Sequence, residues 1–524
     1  MFDFFKKQLS FNLLIVNAIF IILLSVLLPV RFETNDDVIM LLMTSGKITG
    51  EFDAHLIHIN YLYGLFLNFL YSLTDKIEWY TVSLLFLHLI SLTIIVRFII
   101  EKATRRWIIF ILVLFFYILE VRLIVRIQFT TTAGFLTIAS LLLLNNQFTY
   151  KKYIGFLLLS IASLLRYHAA LIVIVVFLPV IFGDMFLSER IDIKKAIRYI
   201  VIFFSISVLH FGTNYIIKKD AKWNYFYNYS EVRYKITDNP NINAETINIK
   251  GKIARCDSKL FSDYFIDNSI FNLKTLQKIN EIDSIVPLKY RLVNAYYSII
   301  KYWQIFVIIL LMFMFHVFYH RDKKTLIFQF LIFFLVFLYF SLTQEIKYRM
   351  VIIALLPIIV ISVNSIYSKF FVQYIHLFLI GFIILYIAID SINIYRLNNQ
   401  HRKAFKEPSD LINKYNITNN SKIICYGTSF AIENIPPLNT SNFIKWDNVV
   451  FSGWLAGHPN NIKVFPSLLF FSHDNALFIS KRDSFAISNI IESLKINYHK
   501  NMKAIKMFES NNYLIIKFKD ICNN

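Results

Sequence analysis

The chain has 524 residues, of which 57% are hydrophobic and 17% are charged. Apolar stretches near the length that crosses a bilayer recur along it, which excludes a soluble globular protein and indicates a polytopic membrane protein. The 54 lysines and arginines outnumber the 34 aspartates and glutamates. In a membrane protein such an excess collects in inner loops and near anionic headgroups, so we expect membrane lipids and no nucleic acid as partners.

The first predicted span covers residues 11–30 and follows Lys6 and Lys7. Because cations mark the cytoplasmic side, we expect a cytoplasmic N-terminus and an extracytoplasmic location for the residues after the span. No small-residue cleavage site follows Pro29, which favours a retained span over a removed signal peptide.

Residues 31–60 are unusually acidic for so apolar a chain. They contain Glu33, Asp36, Asp37, Glu51, Asp53, His55 and His58. Thr34 or Asn35 is a candidate N-cap for a short helix that begins near Asp36 and ends at Gly46. Both neighbouring aspartates then lie in the first turn, where the helix dipole favours the ionised form that a general base or a cation ligand needs. The same Asn-Asp-Asp pattern is also ordinary capping chemistry.

The apolar segment at residues 56–73 either spans the membrane or lies at its outer surface. If it spanned, the basic residues Lys102, Arg105 and Arg106 would fall outside, against the positive-inside rule, so we expect a juxtamembrane helix. The other predicted spans are residues 79–100, 107–125, 129–144, two within 153–182, 198–217, 296–319, 325–342, 350–367 and 371–390. The predicted fold class is therefore an α-helical polytopic membrane protein with about 11 transmembrane helices.

The predicted membrane domain covers residues 1–391, with a first outer loop at 31–78 and a large outer loop at 218–294. Residues 392–421 are predicted to be a linker, and residues 422–524 a small extracytoplasmic α+β domain. Its predicted strands are residues 423–426, 476–479, 504–508 and 513–518. Its predicted helix carries Ile487, Ile490, Ile491 and Leu494 on one face, with Asp483 or Ser484 as the cap.

Two predicted outer turns carry cations, which the charge rule disfavours there. Arg166 and His168 lie at one of them, and Lys347 and Arg349 at the other. A lipid phosphate would explain them, because arginine and lysine neutralise a phosphate and stabilise it as a leaving group. Simple anchoring of helix ends explains each cation, taken singly, about equally well.

The layout of residues 1–390 resembles the GT-C superfamily of polyprenyl-phosphate-sugar-dependent glycosyltransferases. That superfamily includes the protein O-mannosyltransferases and the lipid A aminoarabinose transferases. The residues that carry the resemblance are Glu33-Thr-Asn-Asp-Asp37, the segment leading to Tyr61-Leu-Tyr63 and Gly64, Glu78-Trp-Tyr80 and the basic turn at 101–106. The Pro-Pro pair found in the second juxtamembrane segment of many members is absent here.

The resemblance implies inverting transfer of a sugar from a polyprenyl-phosphate donor to an extracytoplasmic glycan or lipid-linked acceptor, in the bacterial cytoplasmic membrane. In that family the first outer loop carries a catalytic acidic pair, which matches Asp36 and Asp37. We expect Asp37 to be the base and Asp36 to assist. The expected substrate contacts are Glu33, Asp53, His55, His58, Arg166, His168, Lys347 and Arg349. No cofactor is indicated with certainty, and a divalent cation stays open.

Three other functions fit parts of the sequence. An O-antigen-type polymerase or ligase also joins lipid-linked sugars, but such enzymes usually rely on arginine-rich outer loops. A flippase or transporter of lipid-linked sugars is expected to place ionisable groups in a cavity at mid-membrane. A non-catalytic scaffold would need no outer acidic loop.

Overall fold

The structure is a computed structural model. It describes residues 2–521 except 49, 103–105, 147, 188–192, 238, 240–241, 282–287, 302–322, 344–346, 366–369, 419–421, 427–430, 441–445, 447, 473–475, 482–484 and 511. The predicted span at 296–319 and the predicted cap at Asp483 or Ser484 therefore lie largely or wholly outside the described residues.

The described chain is mostly helical. Its helices are α1 (Phe2–Leu27), α2 (Asn35–Thr44), α3 (Tyr61–Leu73), α4 (Trp79–Lys102), α5 (Arg106–Val125), α6 (Phe129–Leu144), α7 (Thr149–Leu187), α8 (Ile193–Ile217), α9 (Ala221–Thr237), α10 (Ala244–Gly251), α11 (Arg255–Ser262), α12 (Leu273–Glu281), α13 (Leu288–Lys301), α14 (Lys323–Thr343), α15 (Tyr348–Ser365), α16 (Phe370–Thr418), α17 (Pro459–Val464) and α18 (Ala486–Tyr498). The strands are β1 (Arg31–Phe32), β2 (Arg126–Ile127), β3 (Lys422–Cys425), β4 (Val449–Phe451), β5 (Ala476–Lys481), β6 (Met502–Glu509) and β7 (Tyr513–Asp520).

Within the described residues, three helical segments are long and apolar enough to cross a membrane by length and composition: α4, the Thr149–Pro179 part of α7, and α8. Shorter apolar segments coincide with other predicted spans, and include Phe11–Leu27, Phe129–Leu144, Phe330–Tyr339 and Arg349–Ile359. The chain thus has the helices of a multi-pass membrane protein. The total of about 11 spans and their orientation stay predictions.

Two features of the predicted topology have a direct counterpart in the helices. The 13-residue α3 is about 20 Å long at 1.5 Å per residue, which is shorter than the hydrocarbon core of a bilayer. The predicted break between two helices near Arg166 falls at that residue, whose φ and ψ of −158° and 94° interrupt α7.

The C-terminal residues form a five-stranded sheet in the order β4-β3-β5-β7-β6. β4, β3 and β5 are parallel, whereas β7 runs antiparallel to β5 and β6. Four of the strands lie where the sequence predicts them, and the three-residue β4 adds a fifth. Most of the segment 392–421, predicted to be a linker, belongs instead to the long helix α16, which ends at Thr418.

The large outer loop folds onto this sheet. Leu260 and Phe265 join the apolar core that contains Phe471 and Phe478. Asp267 accepts hydrogen bonds from the Tyr498 hydroxyl (2.6 Å) and from the Leu468 N–H (2.9 Å). The loop helices and the C-terminal sheet therefore share one packed interior.

The first outer loop makes contacts with the membrane helices on one side and with the C-terminal domain on the other. β1 pairs in parallel with β2, which places the start of the loop beside the junction of α5 and α6. The Lys47 ammonium donates to Glu78 at 2.6 Å and to Thr440 at 2.7 Å. The Thr81 hydroxyl donates to the Pro437 carbonyl at 2.7 Å. These contacts fix the acidic loop between the membrane helices and the C-terminal domain.

Candidate active site

Asp36 and Asp37 both lie in the first turn of α2, with Thr34 at the N-cap position. Gly46 follows the end of the helix with a φ of +69°, the left-handed conformation that glycine adopts most easily. Since consecutive helix residues point about 100° apart, the two carboxyl groups enter different surroundings.

Asp37 is fully buried. Its Oδ1 accepts hydrogen bonds from the Tyr80 hydroxyl at 2.9 Å and from the Phe129 N–H at 3.1 Å, and its Oδ2 accepts from the Thr34 hydroxyl at 2.9 Å. Burial raises the pKa of Asp37 to about 7, although all three donors favour the ionised form. This carboxyl group joins α2, α4 and the first turn of α6, and it offers no exposed oxygen to a substrate in this conformation.

Asp36 points instead toward an aromatic and cationic cleft, and its side chain is 21% exposed. Its Oδ2 lies 3.8 Å from Nε2 of His58. The His58 ring is parallel to that of Phe129, with 6.0 Å between centroids, and 5.4 Å from the ring of Tyr234. The two rings hold the imidazole in place beside the carboxylate.

Four cationic side chains act on the Asp36 carboxyl group, in decreasing order Arg349, Arg166, Lys347 and Arg233. They come from three separate places: α7, the start of α15, and α9. Lys347 is exposed and Arg349 is partly exposed, so a ligand can reach both. The carboxyl groups that act on Arg166 in turn are those of Asp36 and Asp37, so the described side chains of this group include more cations than carboxylates.

The two titratable groups at the centre of this cluster are shifted in opposite directions. Burial raises the pKa of Asp36, and the four cations only partly offset that effect. Burial lowers the pKa of His58, and the same cations lower it further. A neutral imidazole therefore lies beside a carboxyl group that binds a proton more readily than an ordinary aspartate.

Arg166 reaches the cluster because α7 breaks at that residue. The break leaves the Leu164 carbonyl without its helical donor, and the Asn60 N–H donates to it at 2.8 Å. The Arg166 guanidinium then lies 5.4 Å from the centre of the Phe129 ring and donates to the His58 carbonyl at 3.3 Å. The helix break and the histidine loop therefore position each other.

Arg233 is fully buried on α9 and connects the cluster to the C-terminal domain. Its Nη1 donates to the carbonyls of Gly453 and Trp454, the latter at 3.2 Å. Its guanidinium also lies 4.8 Å from the ring centre of Tyr234. Among the described residues, neither Nε nor Nη2 of Arg233 has a hydrogen-bond partner.

A second polar group surrounds Asp53 at the junction with the C-terminal domain. Asp53 Oδ1 accepts from the N–H and from Nδ1 of His55, at 2.8 and 2.9 Å, and Oδ2 lies 3.2 Å from Nε2 of His458. Burial alone would raise the pKa of Asp53, but the two histidines outweigh it and lower the pKa. The His55 ring stacks on Trp223 with 3.4 Å between centroids. Both oxygens of Asp53 and the ring of His55 therefore already have partners, and these residues form a group separate from the Asp36 cluster.

The structure places the other two candidate residues outside the Asp36 cluster. His168 is exposed, and its ring packs against Tyr167 with 5.9 Å between centroids. Glu33 donates its N–H to the Ile127 carbonyl at 3.1 Å, and its charge acts on Arg31 and Arg126. Of the ten candidate residues, Asp36, Asp37, His58, Arg166, Lys347 and Arg349 come together.

Among the described residues, no group of three or more His, Cys, Asp or Glu side chains is placed so that it could hold a metal ion. The cluster around Asp36 is instead rich in cations, which suits an anionic ligand.

No family model and no curated protein matches this chain. Two solved structures are similar to it: ArnT from Cupriavidus metallidurans in the apo state, and the same protein bound to undecaprenyl phosphate. The first has a TM-score of 0.43 and 8% identity over 97% of this chain and 98% of that chain. The second has a TM-score of 0.42 and 9% identity over 98% and 97%. In both cases the similarity extends over nearly the whole of each chain.

Sequence reasoning missed Arg233, Tyr234 and His458. Arg233 and Tyr234 lie within a polar, aromatic stretch that gives no sign of which side chains turn inward. His458 is a single histidine far along the chain from Asp53. The available signal was an arginine, Arg233, that closely follows the aromatic residues of the stretch 223–229.

Proposed function

We propose that the chain is an integral membrane glycosyltransferase that moves a sugar from a polyprenyl-phosphate donor to an extracytoplasmic glycan or lipid-linked acceptor. The observation that carries the proposal is the gathering of Arg349, Arg166, Lys347 and Arg233 around the partly exposed carboxyl group of Asp36. A base beside an excess of cations suits a reaction that removes a proton from one substrate and releases a phosphate from the other.

The proposed reaction is a single inverting displacement. The acceptor hydroxyl oxygen attacks the anomeric carbon of the donor sugar, and its proton passes to Asp36. The bond between that carbon and the phosphate oxygen breaks, and the electron pair leaves with the polyprenyl phosphate. Arg349, Arg166 and Lys347 neutralise the negative charge that develops on the phosphate.

The geometry favours an exchange of the roles that the sequence suggested for the two aspartates. We infer that Asp36 is the base, because it faces the cations and is partly exposed. Asp37 has both oxygens engaged by Tyr80, Phe129 and Thr34, so we infer that it holds the base in place. Asp36 has a raised pKa, which brings its proton affinity closer to what a base needs near neutral pH.

His58 contributes in its neutral form. Its lowered pKa keeps the imidazole uncharged at neutral pH, so His58 does not form an ion pair with Asp36 that would hold the carboxylate away from the acceptor hydroxyl. Nε2 of the neutral imidazole lies 3.8 Å from the Asp36 carboxylate, so it can share a hydrogen bond with an acceptor hydroxyl that approaches Asp36.

A flippase is less well supported by the described residues. The helices do contain an ionisable pair, since His88 Nδ1 lies 3.0 Å from Glu120 Oε1. Both side chains are completely buried, so the pair faces packed helices and not a passage for a lipid headgroup.

The phosphate contacts are tested by steady-state release of free polyprenyl phosphate from a radiolabelled polyprenyl-phosphate sugar by the full-length protein in detergent. Arg349→Gln should lower kcat/KM by about ten- to hundredfold, because a hydrogen bond to a charged group is lost. Arg349→Lys should keep part of the activity, since it retains the charge without the planar fork.

Arg97→Gln is the matched control, because Arg97 pairs with Glu101 on α4 and lies outside the cluster. It should turn over like the wild type. Absence of turnover by the wild type, or equal activity of Arg349→Gln and Arg97→Gln, would overturn the proposal.

A further inference from the structure

A second group of arginines lies at the start of the first outer loop. Arg31 and Arg126 are directly opposite each other across the parallel pair of β1 and β2. The charges that act on them are those of Glu33, Arg122, Asp390, Glu433 and one another. None of these belongs to the four cations that act on Asp36, so the two groups are distinct.

The contacts around Arg31 and Arg126 join β1 to β2 but leave the guanidinium of Arg126 without a hydrogen bond to a described residue. Asn398 Nδ2 donates to the carbonyls of Pro29 and Val125, at 3.1 and 3.2 Å, and so joins the segments that lead into β1 and β2. Arg122 Nε donates to Asp390 Oδ2 at 2.7 Å. Arg126, by contrast, makes no hydrogen bond or ion pair with a described residue.

Several buried polar atoms at this place have no partner among the described residues. They are Nε of Arg31, Nε of Arg126, both amide atoms of Gln128 and Oδ1 of Asn398. Arg31 is buried, and its Nη1 donates to Asn434 Oδ1 at 2.5 Å and lies 3.2 Å from His401 Nδ1. Arg126 is only partly buried, so its remaining donors can be reached from outside.

The positive charges of Arg31 and Arg126 also favour the binding of an anion. Burial lowers the pKa of Arg126 to about 10, and repulsion from Arg31 and Arg122 contributes to that shift. The group is nevertheless charged at pH 7. Arg122 already has a carboxylate partner in Asp390, whereas the opposed pair of Arg31 and Arg126 has no ion pair of its own among the described residues. An anion between them would remove that repulsion and supply the missing acceptors.

The location indicates which anion would arrive there. β1 begins four residues after α1 ends, and β2 directly follows α5. Val26 and Leu27, in the last turn of α1, are 73% and 70% exposed, which is the behaviour of a helix end facing lipid. A cation just beyond such a helix end lies at the depth of lipid headgroups.

We propose that Arg126 and Arg31 form a second anion site, which holds the phosphate of a lipid-linked acceptor at the outer membrane boundary. The assignment of this phosphate to an acceptor rests on the proposed function. The anion site itself rests on the geometry alone. It places the two substrates of the transferase in two cationic groups that share no residue.

The test is a binding titration of the full-length protein in neutral detergent, which needs no turnover. The probes are short-chain phosphatidic acid, short-chain phosphatidylcholine and inorganic phosphate. Phosphatidic acid should bind most tightly, and Arg126→Gln should weaken it about tenfold or more. Glu33→Gln should tighten it by a few-fold, because it removes a neighbouring negative charge. A variant that had merely misfolded would not bind more tightly.

Arg97→Gln serves as the control, because Arg97 pairs with Glu101 outside both cationic groups, and it should bind phosphatidic acid like the wild type. Equal binding of the two lipids, or unchanged binding in Arg126→Gln, would overturn the site. Inorganic phosphate that binds as tightly as phosphatidic acid would overturn the lipid assignment. If the radiolabelled donor were not turned over but Arg126→Gln still lost binding, the proposed function would fail and the anion site would stand.

Discussion

Two adjacent aspartates differ because the first turn of a helix sends their side chains in different directions. Asp37 enters a closed space where Tyr80, Phe129 and Thr34 donate to it. Asp36 enters a cleft beside His58. One residue of sequence therefore separates a carboxyl group that positions helices from one that a substrate can reach.

The buried state of Asp37 has a measurable consequence for stability. Its pKa rises from 3.8 in an unfolded chain to about 7 in the folded one, so folding takes up a proton between those pH values. Its contribution to the free energy of unfolding is fully present below about pH 4 and is lost as the pH rises toward 7. The loss is at most about 4 kcal/mol for a shift of this size.

Asp37→Asn should remove this pH dependence, because an amide does not titrate. Thermal unfolding in detergent should show the wild type losing stability relative to Asp37→Asn as the pH rises from about 4 to about 7. Asp220→Asn changes an exposed aspartate at the start of the large outer loop and should track the wild type. A difference between wild type and Asp37→Asn that stays constant across this range would contradict the buried, protonatable state.

At the scale of secondary-structure elements, α3 must approach the loop that carries Asp53 very closely. A Cβ atom at Gly64 would overlap the carbonyl oxygen of Ala54, which is backbone and cannot turn away. The glycine therefore sets the distance between the juxtamembrane helix and the acidic loop.

Gly64→Ala should lower the midpoint of thermal unfolding by about 5 °C or more, because the overlap forces the helix and the loop apart. Gly212→Ala is the matched control on a helix, since no atom lies within 4 Å of a Cβ placed at Gly212. It should be neutral or slightly stabilising. Equal midpoints for the two variants would show that the close approach does not exist.

The elements that sequence reasoning could locate are those decided by local chemistry. Capping residues and Gly46 predicted α2, which forms at Asn35–Thr44. Short runs rich in apolar residues predicted four of the five C-terminal strands. The sequence could not show that Asp37 would be buried, because that depends on the partners α2 meets. From the helix dipole we also expected Asp36 and Asp37 to be ionised, whereas burial raises the pKa of both.

At the scale of the whole molecule, the site is assembled from parts far apart in the chain. The first outer loop supplies Asp36 and His58, α7 and α15 supply cations, and α9 supplies Arg233. Arg233 is in turn fixed by carbonyls of the C-terminal domain. No local pattern predicts such a convergence, which explains why Arg233 was missed although Arg166 and Arg349 were found.

The C-terminal domain makes direct side-chain contacts with the first outer loop. His458 reaches Asp53 at 3.2 Å, and Asn434 and Thr440 bond to Arg31 and Lys47. The domain therefore contacts the first outer loop at three separate positions.

The most direct test of the account is transfer from a radiolabelled polyprenyl-phosphate sugar by full-length Asp36→Asn and Asp37→Asn, with thermal unfolding of each variant to verify the fold. We expect Asp36→Asn to lower turnover by about 10²- to 10⁴-fold, the usual contribution of a general base, with its fold intact. We expect Asp37→Asn to lose less than about tenfold, because the amide keeps an acceptor for Tyr80 or Phe129. Wild-type turnover by Asp36→Asn, or the larger loss in a well-folded Asp37→Asn, would contradict the account.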